Sequence, residues 1–293
     1  RRQRQMCIRD SVFCTMEEGV KAKKAKDWKL VDTIVKKTGL NDEIQNIIKD
    51  KSASKLSSNE INGIKLNKLN KNIENKDLIK YSTLNIEIDR AKRVATINIL
   101  GPNKIPNNNI NDILAEGDNF WLLRCARELD DAILHLRFNE LEIGIILFNT
   151  IGEISNVQAY DQLFNKYKEH WFLNEISYLW SRVFKRIDLT SRTLTTLIEP
   201  GSCYAGFLSE LIFCSDRTYM SEGQFEGDNR KEAEISLSSS NLGTFKMSNG
   251  ITRLNTRFLG SQDDLNNAEK NLNIHFLAKE AYEFGLVTFI YDD

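Results

Sequence analysis

Glu210 stands where acid–base chemistry would use a carboxylate. It follows Gly206 by four residues, one helical turn, beyond the Pro200-Gly201-Ser202 turn that leads an apolar strand into a helix at roughly Ala205–Cys214. A carboxylate partly desolvated beside such a turn has a raised pKa and can give or take a proton. The same placement suits a carboxylate that caps or pairs inside the fold, and both readings stand. Cys203 reads as a small packing residue or a nucleophile, with no histidine near it in sequence to generate its thiolate. His170, followed by Trp171 and Phe172, marks either a helix–strand junction or a substrate contact. Arg127 and Arg217 offer charge for phosphates, or for structural ion pairs with nearby acids.

Other chemistries lack their residues. The three histidines, His135, His170 and His275, lie far from one another and from the cysteines, so neither a zinc site nor a histidine-based triad is drawn. Cys7, Cys14, Cys125, Cys203 and Cys214 are an odd number without a CxxC pair, as in reduced thiols of a cytoplasmic protein. No glycine-rich dinucleotide fingerprint or P-loop is present.

The elements that must position these residues are legible in part. The chain has 293 residues, 41% of them apolar, with 40 Lys+Arg against 41 Asp+Glu. Mixed charge of that kind makes no global field for nucleic acid or an anionic membrane, and no run approaches the roughly 20 apolar residues of a membrane span. Residues 1–10 are basic and polar and read as a non-native segment or a basic arm; without an initiator Met, the chain is expected to be a fragment. From residue 11 to 50 the pattern is helical, with Val31, Ile34, Val35, Ile44, Ile47 and Ile48 as its apolar positions. Residues 51–82 are rich in Lys, Asn and Ser and predict a linker.

Residues 83–293 predict an α/β domain. Leu84, Ile86 and Ile88, then Ala95, Ile97 and Ile99, alternate as a hairpin with one buried face. Leu129, Ala132, Ile133 and Leu136 have helical spacing. Residues 143–148 are apolar at both parities, as in a strand covered on both faces. A helix over 161–187 and a strand over 193–198 come next. The two ends of the chain are also self-similar. Ala22, Ala25, Trp28, Leu30 and Val31 correspond to Ala278, Ala281, Phe284, Leu286 and Val287 at a constant offset of 256 residues. A real repeat of that length makes the chain the tail of one domain copy and most of a second.

Val94-Ala95-Thr96-Ile97-Asn98-Ile99-Leu100-Gly101-Pro102 resembles the opening strand of the crotonase (enoyl-CoA hydratase/isomerase) superfamily, and the closing Ala278–Val287 segment resembles its last helix. Leu197–Leu211 stands at its glycine-rich turn ending in Glu-Leu. Ala126–Leu134, His170-Trp171-Phe172, Glu199–Cys203 and Ser215–Met220 are similar to the benzoyl-CoA-dihydrodiol lyase (2,3-epoxybenzoyl-CoA dihydrolase) family, from about Ser11 to the end.

The resemblance implies a crotonase-like spiral of β-β-α units, an acyl-CoA thioester as partner, and no metal, flavin or nicotinamide cofactor. It implies a carbon–carbon lyase of aerobic benzoyl-CoA degradation, built of two crotonase-like halves, with the working glutamates in a first half absent here. For this chain it puts one thioester-carbonyl donor at the Phe207 amide, beside Gly206, and the other at Ala159. It aligns Glu210 with one family carboxylate and Ser239 with the second; a serine cannot replace that base, so the site looks degenerate. A homo-oligomer, packed against the missing half, is expected. The alternatives are a non-catalytic scaffold half or a general enoyl-CoA hydratase, the latter disfavoured by Ser239 and Phe207.

Overall fold

The computed structural model describes residue 15 and residues 17–55, 63–224, 227 and 229–292. They fall into two units, divided after residue 62. The segment 1–10 expected to be non-native, and residues 56–62 of the expected linker, lie outside the described residues.

The first unit holds helices α1 (Ala22–Asp27) and α2 (Leu40–Lys55), with a 3-10 turn at Lys37–Gly39 before α2. The expected helical run is broken. Lys29 adopts a left-handed φ of 60° that closes α1, and Val31, Ile34 and Val35 lie in irregular, exposed chain. Their β-branched side chains lose rotamer freedom in a helix.

The second unit is built on one sheet. Its strands are β1 (Asn72–Asn75), β2 (Leu78–Lys80), β3 (Leu84–Asp89) and β4 (Val94–Leu100), followed by α3 (Ile110–Glu116) and α4 (Trp121–Asn139). Next come β5 (Ile145–Ile151), α5 (Ile154–Lys166), α6 (Trp171–Asp188) and β6 (Thr193–Ile198). After a 3-10 turn at Gly206–Ser209 stand α7 (Glu210–Cys214), β7 (Arg217–Ser221) and β8 (Glu234–Ser236). The chain then runs through α8 (Arg253–Arg257), α9 (Gln262–Lys270), β9 (His275–Leu277) and α10 (Ala278–Glu283) to β10 (Phe289–Tyr291). The large sheet has the order β1-β2-β3-β4-β5-β6-β7-β10, antiparallel through β4 and parallel thereafter, while β8 and β9 form a separate pair. The hairpin is where its alternation places it, and the α/β class expected from the sequence is the one observed.

A single row shows how the core is made. Ile86, Ile97, Phe148, Thr196 and Thr218 are in register across five strands and all are fully buried. The apolar members of the row join one cluster with Leu129, Trp180 and Phe207 from the helical layer. The opposite parity of β5 is only half-buried at Ile145 and Leu147, which corrects the expectation of a strand covered on both faces. Asn85, Asn98 and Asn149 line that other face and hydrogen-bond across it: Asn98 Nδ2 donates to Asn85 Oδ1 at 2.8 Å, and Asn149 Nδ2 to Asn98 Oδ1 at 3.4 Å.

The expected helix over 161–187 is two helices. His170 breaks it by capping α6, its Nδ1 accepting from the Phe172 amide at 3.3 Å. The described part of the expected linker is ordered. Asn67 donates to Asp118, Arg127 donates to the Asn67 carbonyl at 2.7 Å, and Lys71 pairs with Asp131 at 2.8 Å, after which β1 and β2 extend the sheet.

At the top of the parallel strands Gly101 and Gly152 approach each other beside Cys203. A Cβ on Gly101 would lie 2.9 Å from Cys203 Sγ. Gly101→Ala is therefore expected to destabilise the protein by about 1–3 kcal/mol, the usual cost of overpacking, in urea denaturation, with part of the loss recovered in Gly101→Ala/Cys203→Ala.

Candidate functional site

The turn after β6 is fixed before any chemistry is considered. Ser202 N–H donates to the Glu199 carbonyl at 2.9 Å and its Oγ accepts from the Glu199 amide at 3.0 Å. The Cys203 amide donates to Thr150 Oγ1 at 2.9 Å, and the Tyr204 hydroxyl to the Phe148 carbonyl at 3.0 Å, tying the turn to β5. Gly206 then takes φ +52°, and the 3-10 turn delivers the chain into α7. Cys203 is fully buried, and burial pushes its thiol up to about 12, so it is an inert packing group.

The amide of Phe207 is already occupied. It donates to Asp161 Oδ1 at 2.8 Å inside the protein. Asp161 comes from α5 and is 2% exposed, its carboxyl held above the ordinary range by burial, with Ser238, Ser240 and the Phe207 amide pulling the other way. A Cβ on Gly206 would collide with the Asp161 carboxyl, so glycine is required there by both φ and space. The Phe207 ring is closed in by Trp180, Phe164 and Trp121, at centroid distances of 4.8, 5.7 and 6.1 Å.

Glu210 is 1% exposed and both of its oxygens are engaged. Oε1 accepts from Asn241 Nδ2 at 2.7 Å, and Oε2 from Arg253 at 2.8 Å. The same Arg253 side chain donates to both oxygens of Asp188, at 2.9 and 2.6 Å, and to the Phe245 carbonyl at 2.7 Å. Asn241 also donates to the Gly206 carbonyl at 3.0 Å. Burial pushes the Glu210 carboxyl up to about 7, while the Arg253 charge and the Asn241 amide pull it down. Arg253 remains a cation throughout.

The other residues drawn from the sequence are not brought to this point. Ser239 is exposed, and its Oγ accepts from Asn165 Nδ2 at 2.6 Å. Ala159 lies six residues into α5, past the unpaired amides of a helix start, so its N–H belongs to the helix ladder and is no free donor. Arg127 pairs with Asp118 and holds the Asn67 carbonyl. Sequence reasoning missed Asp161, Asp188, Asn241 and Arg253. The side-chain pairings of Asn241, Asp188 and Arg253, and the bond from the Phe207 amide to Asp161, span 31 to 65 residues, and no periodicity records a pairing at that distance.

The arrangement holds an internal carboxylate where a donor for a thioester carbonyl was expected. Among the described residues no group of three or more His, Cys, Asp or Glu could hold a metal ion, and no helix is long and apolar enough to cross a membrane.

The benzoyl-CoA-dihydrodiol lyase of Aromatoleum evansii is 36% identical to this chain over 282 residues, 96% of the chain and 50% of the relative. The chain is a homologue of that lyase. It spans about half the length of the benzoyl-CoA-dihydrodiol lyase it matches. No family model matches the sequence. Among solved structures, an enoyl-CoA hydratase from Geobacillus kaustophilus aligns with a TM-score of 0.47 at 16% identity, covering 73% of this chain and 69% of that one. An enoyl-CoA hydratase/carnitine racemase from Magnetospirillum magneticum aligns with a TM-score of 0.48 at 11% identity, covering 74% and 70%.

Two outcomes are expected from the geometry. Gly206→Ala should cost more than the roughly 1–2 kcal/mol of a left-handed non-glycine residue. The penalty should shrink in an Asp161→Gly background, giving a coupling of about 0.5–3 kcal/mol in a denaturation double-mutant cycle. For Glu210, the ordinary value is 4.5 and the native value about 7. The folded protein thus binds the proton more tightly, and this group's contribution to stability falls as pH rises from about 4.5 to about 7. Relative to wild type, Glu210→Gln should become less destabilising between pH 5 and pH 8, by on the order of 3 kcal/mol.

Proposed function

We propose that this chain is part of a carbon–carbon lyase acting on an aromatic acyl-CoA thioester, and that its sheet domain serves as the non-catalytic half of that enzyme. The reaction is the opening of 2,3-epoxybenzoyl-CoA with water, in which a ring C–C bond breaks without oxidation, formate leaves and a dehydroadipyl-CoA semialdehyde remains. The homology over almost the whole chain supports the first part of this reading.

The second part is carried by one hydrogen bond, from the Phe207 amide to Asp161 Oδ1 at 2.8 Å. Thioester chemistry of the enolate type needs preorganised N–H donors aimed at the carbonyl oxygen, and losing one typically costs about 3–4 kcal/mol of transition-state stabilisation. Here the donor is held by a buried internal carboxyl group. Glu210 is 1% exposed and both of its oxygens accept from protein donors, Asn241 and Arg253. These features, with Ser239 on the surface, weigh against a general enoyl-CoA hydratase.

Calorimetric titration of the protein with benzoyl-CoA tests this. No saturable heat is expected, and no formate release from 2,3-epoxybenzoyl-CoA, unless the remaining half of such a lyase is supplied. Saturable binding together with turnover that vanishes in Glu210→Gln would overturn the reading.

A further inference from the structure

The self-similarity of the two chain ends extends to the backbone. Residues 22–27 and 278–283 each form a six-residue helix. Trp28 and Phe284 continue in the same helical conformation, each amide donating four residues back at 2.9 Å, to Lys24 and Glu280. Lys29 and Gly285 then take left-handed φ values of 60° and 75°. Leu30 N–H donates to the Ala25 carbonyl at 2.9 Å, and Leu286 N–H to the Ala281 carbonyl at 2.8 Å. These steps of the helix exit are shared at the offset of 256 residues.

Beyond the exit the two ends diverge. After Gly285 the chain becomes β10, which pairs parallel with β7 through Phe289–Tyr219, Ile290–Met220 and Tyr291–Ser221. Thr288 exchanges hydrogen bonds with Thr218, its N–H reaching Thr218 Oγ1 at 2.8 Å. The same offset places Asp32 at Thr288, Thr33 at Phe289, Ile34 at Ile290 and Val35 at Tyr291. In the first unit this stretch carries no strand, and Val31, Ile34 and Val35 are about 40% exposed, while Val287 is 3% exposed. Asp32 keeps a hydrogen-bond acceptor where Thr288 has one. On α2, Leu40, Ile44, Ile47 and Ile48 form a second exposed apolar stripe at helical spacing.

We propose that residues 31–35 are the closing parallel edge strand of a second body of this same architecture, one that lacks a closing strand of its own. Its β7-like strand would pair with Thr33–Val35, a β-augmentation, and its core would cover Val31 and Ile34. The place beside β7 in this chain is taken by β10, and it is taken equally in any second copy, so a copy offers no vacancy. The homologous lyase is twice as long as the match, which leaves a body of the right size, the half of its length this chain does not match.

The test is to express this chain together with that unmatched half of the Aromatoleum evansii lyase. Co-elution on size exclusion is expected, with amide-exchange protection at residues 33–35 that is absent from the chain alone. Thr33→Pro, which removes a strand N–H, and Ile34→Asp should each weaken the complex about tenfold or more, the weight of one buried aliphatic side chain. Neither variant should change the unfolding of the 63–292 unit. The proposal is overturned by absence of a complex, by a complex indifferent to both variants, or by self-association of this chain through the same residues.

Discussion

A guanidinium at 1% exposure sets the constraint on which the packing around Glu210 depends. Arg253 cannot lose its proton, so its charge must be answered inside the protein. Asp188 at the end of α6, Glu210 at the start of α7 and the Phe245 carbonyl answer it, and Asn241 carries the network on to the Gly206 carbonyl. Four stretches of chain are thereby fixed about one cation. Removing a single partner from such a cluster typically costs about 3–5 kcal/mol, whereas replacing the whole with apolar side chains can be neutral. The network therefore dictates which residues must change together more than it adds stability. Both oxygens of the Glu210 carboxylate face protein donors within this network.

The sheet poses a different constraint. Parallel strands are usually covered on both faces, yet here only the parity of Ile97, Phe148 and Thr196 is fully enclosed. The other face carries polar side chains that hydrogen-bond to one another along a row. Asn98 donates to both Asn85 and Glu87, while Asn149 donates to Asn98. The apolar residues of both parities in β5 mislead a reading based on hydropathy alone, because Ile145 and Leu147 need only the flanking strands to be half-buried.

Legibility in the sequence tracks the range of the interactions. Hairpin β3–β4 and helix α4 are written in short-range periodicity, and both stand where their residues predict. The junction between α5 and α6 is invisible there, because His170 caps by a ring nitrogen, a role apolar spacing does not record. Ser239 and Ala159 rest on alignment to a pattern. Ala159 fails because α5 begins already at Ile154, which draws the expected free amide into the helix interior. Glu210 is legible as a carboxylate beside the turn, but its environment depends on Arg253, 43 residues on. Asp161 has no signal at all, since its partner is a backbone amide.

The repeat shows most clearly how local chemistry and global fold separate. Gly285 enters the left-handed region freely, but Lys29 does so against a cost of roughly 1–2 kcal/mol. The left-handed turn at Lys29 brings the Leu30 amide back to the Ala25 carbonyl, which closes the helix. The helix exit is thus encoded within nine residues and forms in both places. The strand beyond it is not. Thr288 and Ile290 find Thr218 and Met220 beside them, while Asp32 and Ile34 are left in irregular chain. Of these two similar segments, only the one with a neighbouring strand beside it forms a ladder.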